Sequence, residues 1–131
     1  CARSMRDNGY TGRIKFIDLD ELTLEGQYWR RQKGTTDFTF SRFLAPYPKG
    51  FYGKALFCDA DFLWRVNPQE VFDYVKAQNV IYPVWCVKHN LMPEDMPTTK
   101  KDGQPQSWYP RKNWASLMLF DCDHPDVHRL T

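Results

Sequence analysis

Three pairs of aspartates stand two positions apart, each at the end of an apolar run. They occur in "FIDLDEL" (16–22), "ALFCDADFLWRVNPQE" (55–70) and "LFDCDHP" (119–125). On an extended backbone, residues i and i+2 lie on the same side, about 6–7 Å apart. Two carboxylates so placed can grip a hard divalent cation, whose open positions then take phosphate oxygens. Twelve aspartates in 131 residues make one such spacing expected by chance, so context has to choose among the pairs. Asp18 and Asp20 are followed at once by Glu21, which suits a strand-to-turn junction with acids at a helix start. Asp123 precedes His124 and Pro125, where a helix cap is wanted. Asp59 and Asp61 have no helix directly behind them, and Phe62, Leu63 and Trp64 are expected to bury their flank. Two partly buried acids repel each other and need a cation or an arginine, with Arg42 and Arg65 as available partners.

The elements that would position these residues alternate along the chain. "GRIKFIDL" (12–19) alternates and reads as a strand, followed by a short turn or helical piece ended by Gly26. Phe40, Phe43, Leu44 and Tyr47 lie at helical spacing in 35–47, and "PKGFYG" breaks that helix. "KALFCD" (54–59) is a short apolar strand. Asn67 as cap, Pro68 at the first helical position and Glu70 three after the cap open a helix whose apolar face is Val71, Tyr74 and Val75. "NVIYPVWCVKH" (79–89) reads as a strand, Pro83 marking an edge or a bulge. Residues 90–112, with four prolines and Gly103, form a long loop of the kind that carries function. "NWASLMLFD" (113–121) is a strand, and "HPD" starts a final helix. The order predicts one α/β domain over 1–131, a sandwich with a mostly parallel sheet.

The segment "TDFTFSRFLAPYPKGFYGKALFCDADFLWRVNPQEVF", with the later "YPRKNWASLMLFDC", resembles the nucleotide-sugar glycosyltransferases of GT-A fold, family 8-like enzymes of bacterial and phage type. The resemblance runs over roughly residues 13–128. It implies a GT-A sandwich, a mostly parallel mixed sheet flanked by helices, whose first strand precedes residue 1. It implies Asp59 and Asp61 as ligands of Mn2+ or Mg2+, with Arg42, Asp59 and Ala60 against the nucleotide. Asp121 then falls at an ordinary strand-end position. The family's late metal-binding histidine lies beyond Thr131, and neither His124 nor His128 takes its role. The implied reaction moves a sugar from a nucleoside-diphosphate donor, a UDP-sugar, to a saccharide or other hydroxyl acceptor.

The loop before the last strand mixes the amide, acidic, basic and aromatic groups that polyhydroxylated ligands demand. Asp102, Gln106 and Asn113 can bond hydroxyls; Trp108, Tyr109 and Trp114 can stack on sugar faces; Lys100, Arg111 and Lys112 can meet phosphate. Two other readings compete. A HAD-type phosphohydrolase also ends a strand in D-x-D, with a nucleophilic first Asp, but wants Thr or Val where this chain has Leu63. A non-catalytic nucleotide- or sugar-binding domain would keep the fold without turnover.

A net charge of +2 predicts neither a nucleic-acid partner nor a charged membrane surface. No apolar run approaches the roughly 20 residues of a membrane span. The four cysteines contain no C-x-x-C pair and fit thiols in a reducing compartment, the cytoplasm. Cys86, His89, Cys122 and His124 could be read as a zinc set, but their spacings are irregular and buried thiols are the simpler account. A first residue of Cys1 and a close on "HPDVHRLT" lead us to expect a piece of a longer chain.

Overall fold

Lys54–Cys58 forms β1 because its short apolar run, bounded by Gly53 and Asp59, finds a partner strand on which to lay its backbone. That partner is β3, Asn113–Asp121, paired antiparallel from Lys54 opposite Asp121 to Cys58 opposite Leu117. A computed structural model describes residues 1–24, 39–89, 99, 103 and 113–129, with 22–24, 113 and 114 described in backbone only. The third strand, β2 (Val84–Lys88), lies on the other side of β3, so the sheet order is β1-β3-β2.

Both pairings are antiparallel, where the sequence reading expects a mostly parallel sheet. The cause is topological. β1 and β2 do run in the same direction, joined by a helical crossover, but the returning β3 is inserted between them and pairs with both. β2 is therefore an edge among the described strands, as Pro83 suggests. The strand begins one residue after that proline, whose carbonyl accepts the N–H of Asp121 at 3.0 Å.

Between Cys86 and Val87 the register slips. That single step along β2 spans Met118 to Trp114 on β3, so β3 carries a bulge through 115–117. Along β3, Met118 and Phe120 alternate onto one face, where they meet Ala55 and, past the strand end, Cys122 and Val127. Phe43, Ala45, Phe51, Phe57, Val84 and Ala115 pack around this cluster. Leu119, on the opposite face, is also buried, so β3 is covered on both sides.

α1 is Ala2–Asp7 and α2 is Leu19–Leu24. The expected strand over 12–19 does not form: residues 13–18 have no ladder partner, and Phe16 is 76% exposed. The expected helix over 35–47 reaches outside the described residues at its start. Its described part is two short 3-10 turns, Ser41–Leu44 and Tyr47–Lys49, because Pro46 and Pro48 remove the N–H groups a continuous α-helix would need. Gly50 (φ 62°) then closes the second turn in the left-handed region that favours glycine.

α3, Gln69–Ala77, starts one residue later than Asn67 as cap and Pro68 as first helical residue predict, with Pro68 at the cap. The Asn67 side-chain oxygen accepts the Gln69 N–H at 2.9 Å, and Val75 is buried on its inner face. The described part of the expected final helix is a 3-10 turn, Val127–Arg129, with the Asp126 N–H donating to His124 Nδ1 at 3.2 Å.

Candidate functional site

The three aspartate pairs have different work in the fold. Asp18 is a helix cap: one carboxylate oxygen accepts the N–H groups of Asp20 (2.9 Å) and Glu21 (3.3 Å), and the two following acids occupy the first turn of α2. This is the junction that the sequence suggests, without the strand before it. The pair at 121 and 123 is a latch between two strand ends. Asp121 accepts a charge-assisted bond from Lys54 Nζ at 2.8 Å, and Asp123 Oδ1 accepts the Gly53 N–H at 3.0 Å. The Cys122 N–H donates to Gly53 O at 2.7 Å between them. Asp123 thus serves the start of β1, 70 residues away, and not the final helix as expected.

Asp59 and Asp61 carry no such duty. Among the described residues neither carboxylate accepts a hydrogen bond or meets a cation, the ion pairs joining Arg3 to Asp7, Lys54 to Asp121, and Arg129 to Asp126. The expected pairing with Arg42 or Arg65 is therefore not formed.

The pair sits at the carboxyl end of β1, but not on extended backbone. The Asp59 N–H still bonds Ser116 O at 3.0 Å, prolonging the ladder onto the bulge of β3. The chain then turns: Phe62 N–H returns to Asp59 O at 3.1 Å, which makes 59–62 a β-turn with Ala60 and Asp61 at its tip. Asp59 is half-buried, whereas Ala60 and Asp61 are exposed. The flank is only partly apolar cover. Trp64 is buried at 5% and Phe62 packs against it with ring centroids 5.4 Å apart, but Leu63 is 73% exposed.

Arg42 stands near this end of the sheet from the 3-10 turn. Its guanidinium lies 5.8 Å from the centroid of the Phe57 ring, two residues before Asp59 on β1. Its Nε is buried and finds no hydrogen-bond acceptor. A buried guanidinium N–H without an acceptor costs free energy until an oxygen reaches it.

Two acidic side chains, both free of structural partners, have the donor chemistry that Mn2+ or Mg2+ prefers. No group of three or more His, Cys, Asp or Glu side chains that could hold a metal ion is assembled among the described residues. Cys122 is fully buried in the core cluster, as a small hydrophobe, while Cys86 is exposed on β2 and departs from that expectation. Of the loop residues proposed from the sequence, Lys100, Asp102, Gln106, Trp108, Tyr109, Arg111 and Lys112 lie outside the described residues. Asn113 and Trp114 open β3, opposite Lys88 and Val87. No helix among the described residues is long and apolar enough to cross a membrane.

The chain is similar to "Protein CDI" of Arabidopsis thaliana, 42% identical over 111 residues, a match covering 83% of this chain and 41% of that protein. The chain thus spans about two fifths of the length of the curated relative it matches. It matches no family model and no solved structure. These findings overturn the resemblance to family 8-like glycosyltransferases. The motifs behind it are short, and in an aspartate-rich chain a D-x-D after an apolar strand arises without common descent.

Proposed function

We propose that Asp59 and Asp61 form a divalent-cation site for a nucleoside diphosphate, and that the whole protein uses it to transfer a sugar from a nucleoside-diphosphate donor to an acceptor hydroxyl. One observation carries the reading: Asp18, Asp121 and Asp123 are engaged by backbone N–H groups or by Lys54, and among the described residues the pair at 59 and 61 is the one in which neither carboxylate is so engaged. Arg42 adds to it, with a buried N–H that lacks an acceptor close to the same strand end.

In this reading Asp59 and Asp61 hold Mn2+ or Mg2+, and the exposure of Asp61 leaves room for oxygens from outside the chain. The bound ion would supply positive charge at the diphosphate oxygens as the leaving group gains negative charge. Arg42 would meet the same anion from the protein side and anchor it against β1. We place the protein in a reducing compartment, the cytoplasm, since the spacing of its four cysteines is not that of a secreted disulfide framework.

Isothermal titration of UDP into the full-length protein, with and without Mn2+, tests this. Binding that needs Mn2+, and that weakens at least about tenfold in Asp61→Asn, is the expected result. UDP binding indifferent to Mn2+ would turn the assignment toward a non-catalytic nucleotide-binding domain, and no binding under either condition would remove the diphosphate altogether. Release of UDP from a panel of UDP-sugars then separates transfer from binding.

A further inference from the structure

The sulfur of Cys1 lies 3.4 Å from the sulfur of Cys58, across 57 positions of sequence. We propose that these two thiols are a redox-responsive pair that closes to a disulfide and so ties α1 to the strand end carrying the aspartate turn.

The contact is held from both sides. Cys1 is the cap of α1, and its carbonyl accepts the Met5 N–H at 3.1 Å and the Ser4 hydroxyl at 2.8 Å. The same Ser4 oxygen accepts the Trp64 N–H at 3.0 Å, while Asn8 Nδ2 donates to Trp64 O at 3.0 Å. α1 is thereby fastened to the backbone just beyond the 59–62 turn, and Cys58 immediately precedes that turn. The two sulfurs are brought together by bonds that do not involve them. Both cysteines are half-buried, so a small oxidant reaches them without unfolding. A disulfide needs about 2.05 Å between sulfurs, a closure of roughly 1.4 Å that side-chain torsions supply. Cys86, exposed on β2, and Cys122, buried in the core, are in no contact with another thiol among the described residues.

The oxidant is a small-molecule disulfide of the oxidised glutathione class. One protein thiolate attacks a sulfur of that disulfide, a protein–small-molecule S–S bond forms, and one small thiolate leaves and takes up a proton. The second protein thiol gives up its proton and attacks the protein sulfur of the mixed disulfide, expelling the second small thiol. Two protein thiols are oxidised and one small disulfide is reduced to two thiols.

This pair stands apart from the reading of Asp59 and Asp61 as a cation site, and its test does not use that site. The full-length protein is equilibrated in oxidised glutathione and mapped by non-reducing peptide mass spectrometry. The expected product is the peptide of Cys1 joined to that of Cys58, lighter by two hydrogen atoms, restored by dithiothreitol and absent from both Cys1→Ser and Cys58→Ser. Closing a loop of this size raises the thermal midpoint of the oxidised protein by roughly 10 °C over the reduced one, and neither serine variant shows that rise. Glutathione adducts without the internal link, Cys58 joined to Cys86 or Cys122, a link only between two molecules, or no loss of thiols would each overturn the proposal.

Discussion

Removing carboxylates from the two strand-end pairs should produce opposite phenotypes. Asp121 and Asp123 are wired into the fold; Asp59 and Asp61 are not. Asp121→Asn takes the charge from a 2.8 Å bond with Lys54, whose side chain is 35% exposed against 16% for the aspartate. A charge-assisted bond in a dry setting contributes about 1.5–3 kcal/mol, and solvent at the lysine end reduces this to about 1 kcal/mol. Asp123→Ala removes the acceptor of the Gly53 N–H at an exposed position where water can take over, costing about 0.5–1 kcal/mol. The two positions are neighbours, so the double variant loses near, though not strictly, their sum: about 1.5–2 kcal/mol. In a chain of 131 residues that lowers the thermal midpoint by about 4–8 °C. Asp59→Asn with Asp61→Asn has no bond to lose and should stay within about 0.5 kcal/mol of the parent. Its Mn2+ affinity, however, should fall on the order of ten- to hundredfold or more as unit charges leave the site, while the other double variant binds Mn2+ unchanged. Thermal unfolding by circular dichroism and calorimetric Mn2+ titration on the same full-length preparations read both quantities. If the 121/123 variant lost Mn2+ as strongly as the 59/61 variant, or if the 59/61 variant melted as early as the other, the division of roles would be wrong.

Two further outcomes are expected. Burial pushes the Cys122 thiol above the usual value of 9.0, with Lys49 opposing, so the folded state holds this proton more tightly than the unfolded chain. That contribution is complete below the ordinary thiol value and is lost as pH rises through the folded one; urea midpoints should therefore fall above about pH 9, and fall less in Cys122→Ala. Asn67→Ala deletes the acceptor of the Gln69 N–H and should cost about 1 kcal/mol in urea unfolding, with the sheet's midpoint following that of α3 if the domain unfolds as one unit.

What could be read from the sequence was what is decided locally. The Asn67–Pro68 start of α3, the apolar runs of β1 and β3 and the acids at the start of α2 all depend on residues within a few positions, and each stands close to where its pattern places it. The alternation of 12–19 says only that one face is apolar; without a partner strand it makes no ladder, and Phe16 stays in solvent. Strand direction was illegible for a related reason. Whether β2 pairs with β1 or accepts β3 between them is settled by contacts far apart in sequence. The aspartate turn was misread as extended because the Phe62 N–H that folds it back competes with the ladder, and no residue type at 60–62 announces the winner. The partners of Asp123 and Cys1 lie 70 and 57 positions away, beyond any local signal.

The late arrival of β3 governs how the sheet can be made. During synthesis, residues 54–58 and 84–88 emerge before either has a described strand to bond, because the segment that joins them is 113–121. Among the described strands these two apolar ribbons lack a partner until their common neighbour is delivered, which exposes them to aggregation for that interval. A chain stopped before residue 113 would hold both outer strands of the described sheet without the strand that joins them.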